Sequence, residues 1–512
     1  MLHKNLLKNL CLSVMLGSLA ALSAPAMAAN DAMLQLIEIM HKKGSITDEE
    51  YGLLKNAAKA DEEHTVTTEE KVDKVTKEEP NQIKGFFKDG IGFESADHKN
   101  SISINGRVQA DYRNFGKSDA QNTDVIDLRR AYLTAKGKIY NDYEFNVTGD
   151  FAQGQSGATT GTSQLDVAYF GINWWDQAKF RFGQFDMPFG LEHLTSDLFI
   201  DFQERSLTEF LVPGKERGAM IHGKPFKGFY YGLAASTGRG KNVDNADDQV
   251  DGVDAIGRLT VNFAEIMGNP DAVYHIGGDF SRGDISPNQS TGVSVLSNNS
   301  FAPSSGSTEG RGIKFFSPTA FTALPGDDVT RTRYGVEGAL AYGPVKFQSE
   351  YFVHNYDGTN SLGTTYNKDI SAWYAAVNWL VTGEKFASTY KDGVWGRIKP
   401  KNDFIHPASG GFLGTGAVEL SLRYSGFDAN DFTFSPLAAN AGTGNAATGT
   451  PTGAHAVTAG VQWILNPNAR LMANYIYTKF KHGLVTVKDD QGNTTGTTGS
   501  ENAFTVRAQF DF

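Results

Sequence analysis

Apolar and polar residues alternate with a period of two through most of the chain after about residue 90. In the first such segment, one face carries Ile102, Ile104, Val108, Ala110 and Tyr112, and the other carries Ser103, Asn105, Arg107, Gln109, Asp111 and Arg113. Successive side chains of a β-strand point to opposite faces of the sheet. The pattern therefore predicts a sheet with one apolar face and one hydrated face.

Sixteen segments show this alternation, and the connections between them alternate in length. We predict strands at residues 100–115, 125–138, 142–152, 163–174, 178–185, 217–224, 228–237, 252–262, 271–282, 330–342, 345–356, 370–382, 417–427, 454–465, 469–480 and 500–512. Short turns such as PFKG alternate with long loops rich in Gly, Asn, Ser and Thr, which is typical of an outer-membrane barrel. Residues 383–416 are long where this parity demands a short turn, so either strands are missed there or the turn is elaborated.

The final segment, FTVRAQFDF, places aromatic residues on one face, as a strand that closes a barrel would. A soluble β-sandwich also alternates, but it would not carry aromatic residues at so many strand ends. After the N-terminus, no stretch approaches the roughly 20 apolar residues of a membrane helix, so a mature membrane protein would have to be a barrel. The predicted fold class is all-β: a 16-stranded antiparallel transmembrane β-barrel with a short N-terminal helical or coiled-coil extension.

The N-terminus has the pattern of a secretory signal peptide. Lys4 and Lys8 precede an apolar run, and the small-residue sequence AMA ends at Ala28. We therefore predict a signal peptide at residues 1–28, which contains the only cysteine, Cys11. Removing its two lysines leaves 45 of the 47 Lys and Arg against 58 Asp and Glu, a formal charge of −13. This acidic balance argues against nucleic acid as a partner.

Two segments separate the predicted signal peptide from the barrel. Residues 29–60 carry apolar residues at helical spacing, broken at Gly44, and a capping box follows at Thr47 to Glu50. We predict a helical segment there. Residues 61–84 form a charged spacer with little to bury, which fits either a solvated linker or a trimerising coil. The barrel is predicted at residues 85–512.

If the apolar face meets lipid, the polar face lines a channel. Its basic residues are Arg107, Arg113, Arg130, Lys179, Arg181, Arg331, Arg333, Lys346, Arg423, Arg470 and Arg507; its acidic residues are Asp111, Glu144, Asp150, Glu337, Glu350, Glu419 and Asp511. Guanidinium groups pair with phosphate or carboxylate, so an arginine majority favours anions. The alternative is that these charges only solvate a water-filled wall. In the segment LRRAYLTAKGK, either set of alternate residues could face the lumen. We place Arg130 inside because Lys136 would otherwise face lipid.

Motifs for catalysis or metal binding are absent. The sequence has no HExxH, no GxSxG and no cysteine outside the predicted signal peptide. The stretch GAMIHGKP resembles a phosphate loop up to its lysine, but Pro225 replaces the required Ser or Thr. His193, His222, His275 and His354 fall on separate predicted strands or loops. We predict no enzymatic activity, no cofactor and no metal site.

Residues 169–217 combine a predicted strand with a segment that is too apolar for an exposed loop, and we predict an infolded constriction loop there. The stretch GQFDMPFGLEHLTSDLFIDFQERS within it, together with DLRRAYLTAKGKIYNDYEFNVTGDF, GAVELSLRYS and the final RAQFDF, resembles the phosphate-selective porin family, the porin O and P type. The resemblance covers the chain after about residue 85. It implies a homotrimer of 16-stranded barrels in the outer membrane of a Gram-negative bacterium. Each arginine-lined pore would be narrowed by the third loop and would pass phosphate or similar anions by passive diffusion.

The third loop departs from the family pattern. Phosphate-selective members bring lysines to the constriction after the PFGL-like motif, whereas the corresponding positions here are His193 and Leu198. The predicted constriction residues are Glu192, His193, Asp197, Asp201 and Glu204. The QERS match supplies Arg205, which we expect at or beside the narrowest part.

We predict an outer-membrane porin with a water-filled, arginine-lined channel for passive diffusion of small anions such as phosphate or pyrophosphate. Two alternatives stay open. One is a general or other-solute porin without phosphate specificity. The other is a barrel that serves mainly as an envelope anchor, with residues 31–80 contacting a periplasmic partner or peptidoglycan. The expected partners are phosphate-like anions, outer-membrane lipid and further copies of the chain.

Overall fold

The computed structural model describes residues 38–39, 41–44, 47–48, 51–52, 55–56, 83–87, 90–119, 123–152, 163–242, 253–284, 300–301, 305–318, 321–322, 328–359, 365–404, 414–432, 450–489 and 491–512. The predicted signal peptide lies outside these residues, and so does the predicted spacer up to residue 82. Within the predicted helical segment, the described residues 38–39, 41–42, 48, 51–52 and 55–56 are α-helical. The N-terminal extension and the domain boundaries remain predictions.

Sixteen long strands in the described part of the chain form one closed antiparallel sheet. They are β1 Ser101–Phe115, β2 Asp124–Ile139, β3 Tyr143–Asp150, β4 Gln164–Trp175, β5 Ala178–Asp186, β6 Lys215–Gly223, β7 Phe229–Ser236, β8 Asp254–Asn262, β9 Ala272–Asp284, β10 Asp328–Tyr342, β11 Val345–Thr359, β12 Thr365–Leu380, β13 Ala417–Asp428, β14 Gly453–Asn466, β15 Ala469–Lys481 and β16 Ser500–Asp511. β16 pairs with β1 from Ala503 opposite Phe115 to Asp511 opposite Arg107. This closure confirms the predicted 16-stranded barrel, and each predicted segment overlaps one strand.

Smaller elements accompany the barrel. The short strands are Ile83–Phe87, Ile91–Ser95, Ser300–Phe301, Phe321–Thr322, Val485–Lys488 and Thr494–Thr498. The short helices are Leu191–Leu194 (α1) and Phe263–Ile266 (α2), and the 3-10 helices are Leu207–Leu211, Phe386–Thr389 and Asn430–Phe432. Among the described residues, no helix is long and apolar enough to cross a membrane.

The alternation in the sequence sets the two faces of the barrel wall. On β13, Leu422 is 50% exposed on the outer face, whereas the neighbouring Arg423 is only 1% exposed on the inner face. Glu419 and Ser425 on the same inner face are fully buried. An outward apolar face is stable only against lipid, so the barrel presents the inside-out pattern of a membrane protein.

Short turns join the strands at one rim, and long connections join them at the other, so the short-turn rim is assigned to the periplasm. Three connections matter for the interior: loop L3 (residues 187–214), loop L5 (residues 285–327) and turn T6 (residues 381–416). T6 contains residues 383–416, the long connection that interrupts the alternation of short turns and long loops in the sequence. Its described residues, 381–404 and 414–416, contain no barrel strand, so it is an elaborated turn.

Two apolar cores fill much of the barrel interior. Near the outer rim, the core includes Phe189 and Leu207 of L3 together with Phe315 of L5, packed on the wall at Phe352 and Phe427. A second core joins L3 to T6, and its members include Leu191, Leu380, Phe386, Trp395, Ile398 and Ile464. L3 and the described parts of L5 and T6 are therefore packed in the barrel interior.

Candidate functional site: a passage narrowed by the third loop

Loop L3 leaves β5 and is fixed to the opposite wall by backbone hydrogen bonds to carboxylates. The N–H of Gly190 donates to Asp279 Oδ1 at 2.9 Å, and the N–H of Glu192 donates to Glu350 Oε2 at 3.1 Å. Gly190 has φ of 77°, a left-handed conformation that glycine adopts without strain. The PFG sequence before α1 therefore allows the sharp turn that directs the loop into the lumen.

The tip of L3 reaches across the barrel to β14, β15 and β16. Gln509 donates through Nε2 to the carbonyl of Leu198 at 3.2 Å, and Gln462 donates through Nε2 to the carbonyl of Asp201 at 2.8 Å. The N–H of Gln203 donates to Asn474 Oδ1 at 3.4 Å. Hydrogen bonds hold L3 at its start and at its tip, so the loop narrows the lumen as a fixed partition.

The acidic residues of L3 pair with basic residues of the wall. Asp197 lies between Arg107 and Arg130 and forms an ion pair with each. The other pairs are Asp201 with Lys346 at 2.6 Å, Glu204 with Arg129 at 2.9 Å and with Arg507 at 2.7 Å, and Glu192 with Arg423 at 3.0 Å. Glu192, Asp201 and Glu204 are therefore neutralised by basic residues of the wall and do not line the cavity described below, whereas Asp197 is paired and also lines it.

A β-bulge turns two consecutive arginines toward the lumen. The register between β1 and β2 shifts where Gln109 pairs with Arg130 and Ala110 pairs with Leu128, so that Arg129 is the extra residue. Strict alternation would have sent one of the two arginines outward into lipid. With the bulge, Arg129 contacts Glu204 while Arg130 contacts Asp197, and Lys136 lines the lumen in the same phase as Arg130.

His193 on α1 is the centre of an ionic cluster at the base of L3. Its Nδ1 lies 2.9 Å from Glu209 Oε2, and its Nε2 lies 3.5 Å from Asp186 Oδ1. Burial alone would lower the pKa of His193, but these two carboxylates outweigh it and raise the pKa to about 9. The histidine therefore carries a positive charge at neutral pH.

Arg205 binds the backbone of α1 and shares Glu209 with His193. Its guanidinium donates to the carbonyls of Glu192, His193 and Thr195 at 3.1, 2.9 and 2.9 Å, and to Glu209 Oε1 at 3.3 Å. Burial would lower the pKa of Arg205, but the surrounding carboxylates, led by Glu209, raise it. Arg205 both holds the loop in shape and adds a fixed positive charge.

Loop L5 fills a further part of the lumen from the outer rim. Glu309 Oε2 accepts from Arg423 at 2.7 Å, and Glu309 Oε1 accepts from Ser425 Oγ at 2.6 Å. The N–H of Ile313 donates to Glu501 Oε1 at 2.7 Å. These contacts attach the described part of L5 to β13 and β16.

A cavity of about 610 Å³ remains between L3 and the wall. Its lining runs from Asp166, Asp186 and Lys215, near the outer ends of their strands, to Gly106 and Phe512, near the periplasmic ends. Its basic residues are Arg107, Arg130, Lys136, Arg205, Lys215 and Arg397, and its acidic residues are Asp166, Asp186, Asp197 and Asp511. Among the described residues, six fixed positive charges thus face four negative ones, and protonated His193 adds another positive charge.

The residues predicted to contact an anion or to form the constriction divide into two groups by position. Those that line the cavity are Arg107, Arg130, Arg205, His193 and Asp197. The others form ion pairs away from its lining: Arg113 with Asp127, Arg181 with Glu144, Arg331 and Arg333 with Asp254, Lys346 with Asp201, Arg423 with Glu192, and Arg507 with Asp111 and Glu204. A direct role in anion contact stays a prediction for every one of them.

Several lining residues escaped the sequence analysis. Lys215 and Asp166 alternate inward, but they lie at strand ends, where the pattern is too short to phase. Arg397 lies in T6, which carries no period-two pattern that would place it in the barrel. Arg129 does not line the cavity but pairs with Glu204 of L3, and it was missed because strict alternation places only one of two consecutive residues inside.

A closed barrel with a lipid-facing apolar exterior, an infolded third loop and a charged passage is an outer-membrane channel of the porin class. The chain belongs to the phosphate-selective porin O and P family, whose sequence profile matches residues 102–512. The match confirms the resemblance seen in the sequence and the location in the outer membrane of a Gram-negative bacterium. The family and the barrel together indicate a channel rather than an enzyme.

The chain is similar to porin O of Pseudomonas aeruginosa, with 25% identity over 442 residues, 83% of this chain and 91% of the relative. Among solved structures, it is similar to the outer membrane channel DcaP of Acinetobacter baumannii, with a TM-score of 0.48 and 12% identity over 82% of this chain and 99% of that one. It is also similar to an anion-selective porin from Comamonas acidovorans, with a TM-score of 0.47 and 12% identity over 81% of this chain and 100% of that one.

Proposed function

We propose that this porin forms a passive, arginine-lined channel for small anions such as phosphate or pyrophosphate. The observation that carries the proposal is the charge of the 610 Å³ cavity, whose described lining has six Lys and Arg residues facing four Asp residues. A pore wall with excess positive charge concentrates anions and repels cations. Membership of the phosphate-selective porin O and P family supports the same solute class.

The proposed mechanism is electrostatic. An anion entering from the outer rim meets Lys215 and the Arg205–His193 cluster, then passes Arg107 and Arg130 beside the tip of L3. Each guanidinium replaces part of the hydration shell of the anion with charge-assisted hydrogen bonds. Because Asp197 already partners Arg107 and Arg130, an anion competes with a carboxylate rather than binding two bare cations. This competition keeps binding weak enough for release and for diffusive flux.

We also propose a homotrimer. Outside the barrel, the wall at β1 to β4 carries an apolar groove of about 400 Å³ that includes Ile104, Leu133, Val147, Phe151 and Leu165. A concave apolar surface of this kind suits a second copy of the chain better than a uniform lipid surface does. Unheated gel electrophoresis and multi-angle light scattering in detergent would report the oligomeric state; a monomer would exclude this arrangement.

Planar bilayer recording tests the channel proposal. We expect the reversal potential in a KCl gradient to show anion preference, and millimolar phosphate or pyrophosphate to reduce chloride current. A clear cation preference would overturn the anion proposal. Anion preference without any phosphate block would leave a general anion porin.

A general porin is the second candidate, because the inward arginines predicted to meet solute are ion-paired in the structure. Arg205→Ala separates the two: loss of phosphate block with retained conductance supports a selective pore, whereas an unaltered block points to the general one. The envelope-anchor hypothesis concerns residues 31–80, most of which lie outside the described residues, and it stays a prediction.

A further inference from the structure

Turn T6 enters the barrel from the periplasmic rim. The N–H of Phe386 donates to the carbonyl of Gly343 at 3.1 Å, which bends the chain inward just after β12. Phe386, Trp395 and Ile398 then pack in the core that also holds Leu191 of L3. The interior is thus occupied from both rims, by L3 from outside and by T6 from the periplasm.

Buried polar contacts fix T6 to the wall. Arg258 Nη2 donates to the carbonyl of Gly393 at 2.7 Å, and Tyr390 Oη lies 2.6 Å from His275 Nδ1. Gly393 has φ of 79°, and a Cβ at this position would lie only 3.0 Å from Arg258 Nη1. Trp395 Nε1 donates to Gln348 Oε1 at 2.6 Å. Contacts from β8, β9 and β11 thus hold residues 390–395 of the turn against the wall.

T6 also contacts L3 directly. The N–H of Trp395 donates to Thr195 Oγ1 at 3.3 Å. Lys346 Nζ lies 4.6 Å from the ring centre of Phe386 and 4.7 Å from that of Trp395, while its charge pairs with Asp201 of L3. The position of T6 is therefore coupled to the loop that narrows the passage.

This arrangement brings Arg397 to the periplasmic end of the cavity. Its guanidinium hydrogen-bonds Asp511 and the carbonyl of Pro467, and lies 5.0 Å from the ring centre of Phe199 on L3. The side chain is 14% exposed, and it lines the cavity with Arg107 and Arg130. A cation supplied by a periplasmic turn and one aromatic ring of L3 thus frame the inner end of the passage.

We propose that Arg397 is a specificity-determining residue of the channel, forming with Phe199 an inner selectivity element that an anion meets as it leaves for the periplasm. The proposal rests on the proposed anion passage. It assigns selectivity to both rims of the barrel, with L3 contributing from outside and T6 from the periplasm. The aromatic ring behind the guanidinium suits small organic anions, whose apolar part would lie against Phe199 while the carboxylate or phosphate meets Arg397.

Arg397→Gln tests this placement, with Lys401→Gln as the matched control because it removes the same charge from an exposed part of T6. We expect the anion-to-cation permeability ratio to fall roughly 3- to 10-fold at low salt in Arg397→Gln and to stay unchanged in Lys401→Gln and Arg397→Lys. Unheated gel mobility checks that each variant folds. An unchanged ratio in folded Arg397→Gln overturns the inference whatever the preference of the wild type, whereas a cation-preferring wild type overturns the proposed function.

A cysteine variant provides a second test in case the Gln variant does not fold. The only cysteine lies in the predicted signal peptide, so the thiol introduced by Arg397→Cys can be modified selectively. A cationic methanethiosulfonate reagent should restore the anion preference, an anionic one should reduce it further, and both should react faster from the periplasmic side. Equal effects of the two reagents, or faster reaction from the outer side, would overturn the inference. Lys401→Cys, modified in the same way, should leave the permeability ratio unchanged.

Discussion

The ion pairs of Asp197 offer the sharpest test of how the passage obtains its charge. This carboxylate at the tip of L3 lies between Arg107 and Arg130, and all three side chains line the cavity. Asp197→Asn keeps the shape of the side chain and removes one negative charge. The excess of Lys and Arg over Asp in the lining would rise from two to three, so we expect stronger anion preference.

The size of the effect follows from the distances in the passage. A unit charge about 5 Å from a monovalent ion changes the energy of that ion by about 0.8 kcal/mol in water, a factor of about four. Removing the negative charge favours an anion by this energy and disfavours a cation by the same amount. The anion-to-cation permeability ratio should therefore rise on the order of tenfold at low salt. The rise should be smaller above about 0.1 M, where salt screens the charge. Arg107 keeps its contact with the Tyr132 ring at 4.4 Å, and Arg130 keeps its hydrogen bond to Gln109 at 2.9 Å. These contacts do not involve Asp197, so both arginines should keep their positions in the variant.

Reversal potentials at 0.01, 0.1 and 1 M KCl measure this change. Asp142→Asn is the matched control, because Asp142 lies exposed in the turn between β2 and β3, away from the cavity. An unchanged ratio or a shift toward cations in folded Asp197→Asn would contradict this prediction, because either result would mean that this carboxylate does not face the permeating ion.

Two further predictions concern the stability that His193 of L3 and Trp395 of T6 give to the barrel. Burial and the nearby Arg205 would lower the pKa of His193, but Glu209 and Asp186 raise it to about 9. The protonated histidine therefore stabilises the folded state fully below about pH 6.5. This stabilisation is lost as pH rises through 9. The unfolding temperature of the wild type should fall between pH 7 and 10, and His193→Gln should remove that part of the slope; parallel curves would contradict the assignment. Trp395 is 3% exposed, so Trp395→Ala should destabilise the barrel by about 3–5 kcal/mol in urea unfolding, and a loss below about 1 kcal/mol would contradict the packing of T6 against L3.

Period-two alternation was sufficient to predict the strands because lipid outside and water inside impose opposite demands on successive residues. It could not predict the bulge at Arg129, since one extra residue leaves the local composition unchanged. It also could not predict which carboxylate meets which arginine. Asp197 and Arg107 are 90 residues apart in the chain, and their pairing depends on how far L3 reaches across the lumen.

The acidic third loop shows most clearly what sequence composition leaves out. The residues Glu192, Asp201 and Glu204 add negative charge to a predicted constriction, yet each forms an ion pair with a basic residue of the wall. The same acids therefore act as anchors. T6 was recognised only as a length anomaly, because its inward course depends on contacts such as Arg258 with Gly393 that no local pattern encodes.

The two interior cores lie against β5 to β15, whereas the cavity lies against β16 and β1 to β6, so the two regions share only β5 and β6. The cavity is consequently eccentric in the barrel, and we expect the two parts of the wall to have different tasks. One half is a scaffold whose substitutions should chiefly affect folding yield. The other half, with the tip of L3 and the inner end of T6, carries the residues that we propose to set selectivity. Transplanting these residues between related barrels is a practical way to exchange their solute preferences without rebuilding the fold.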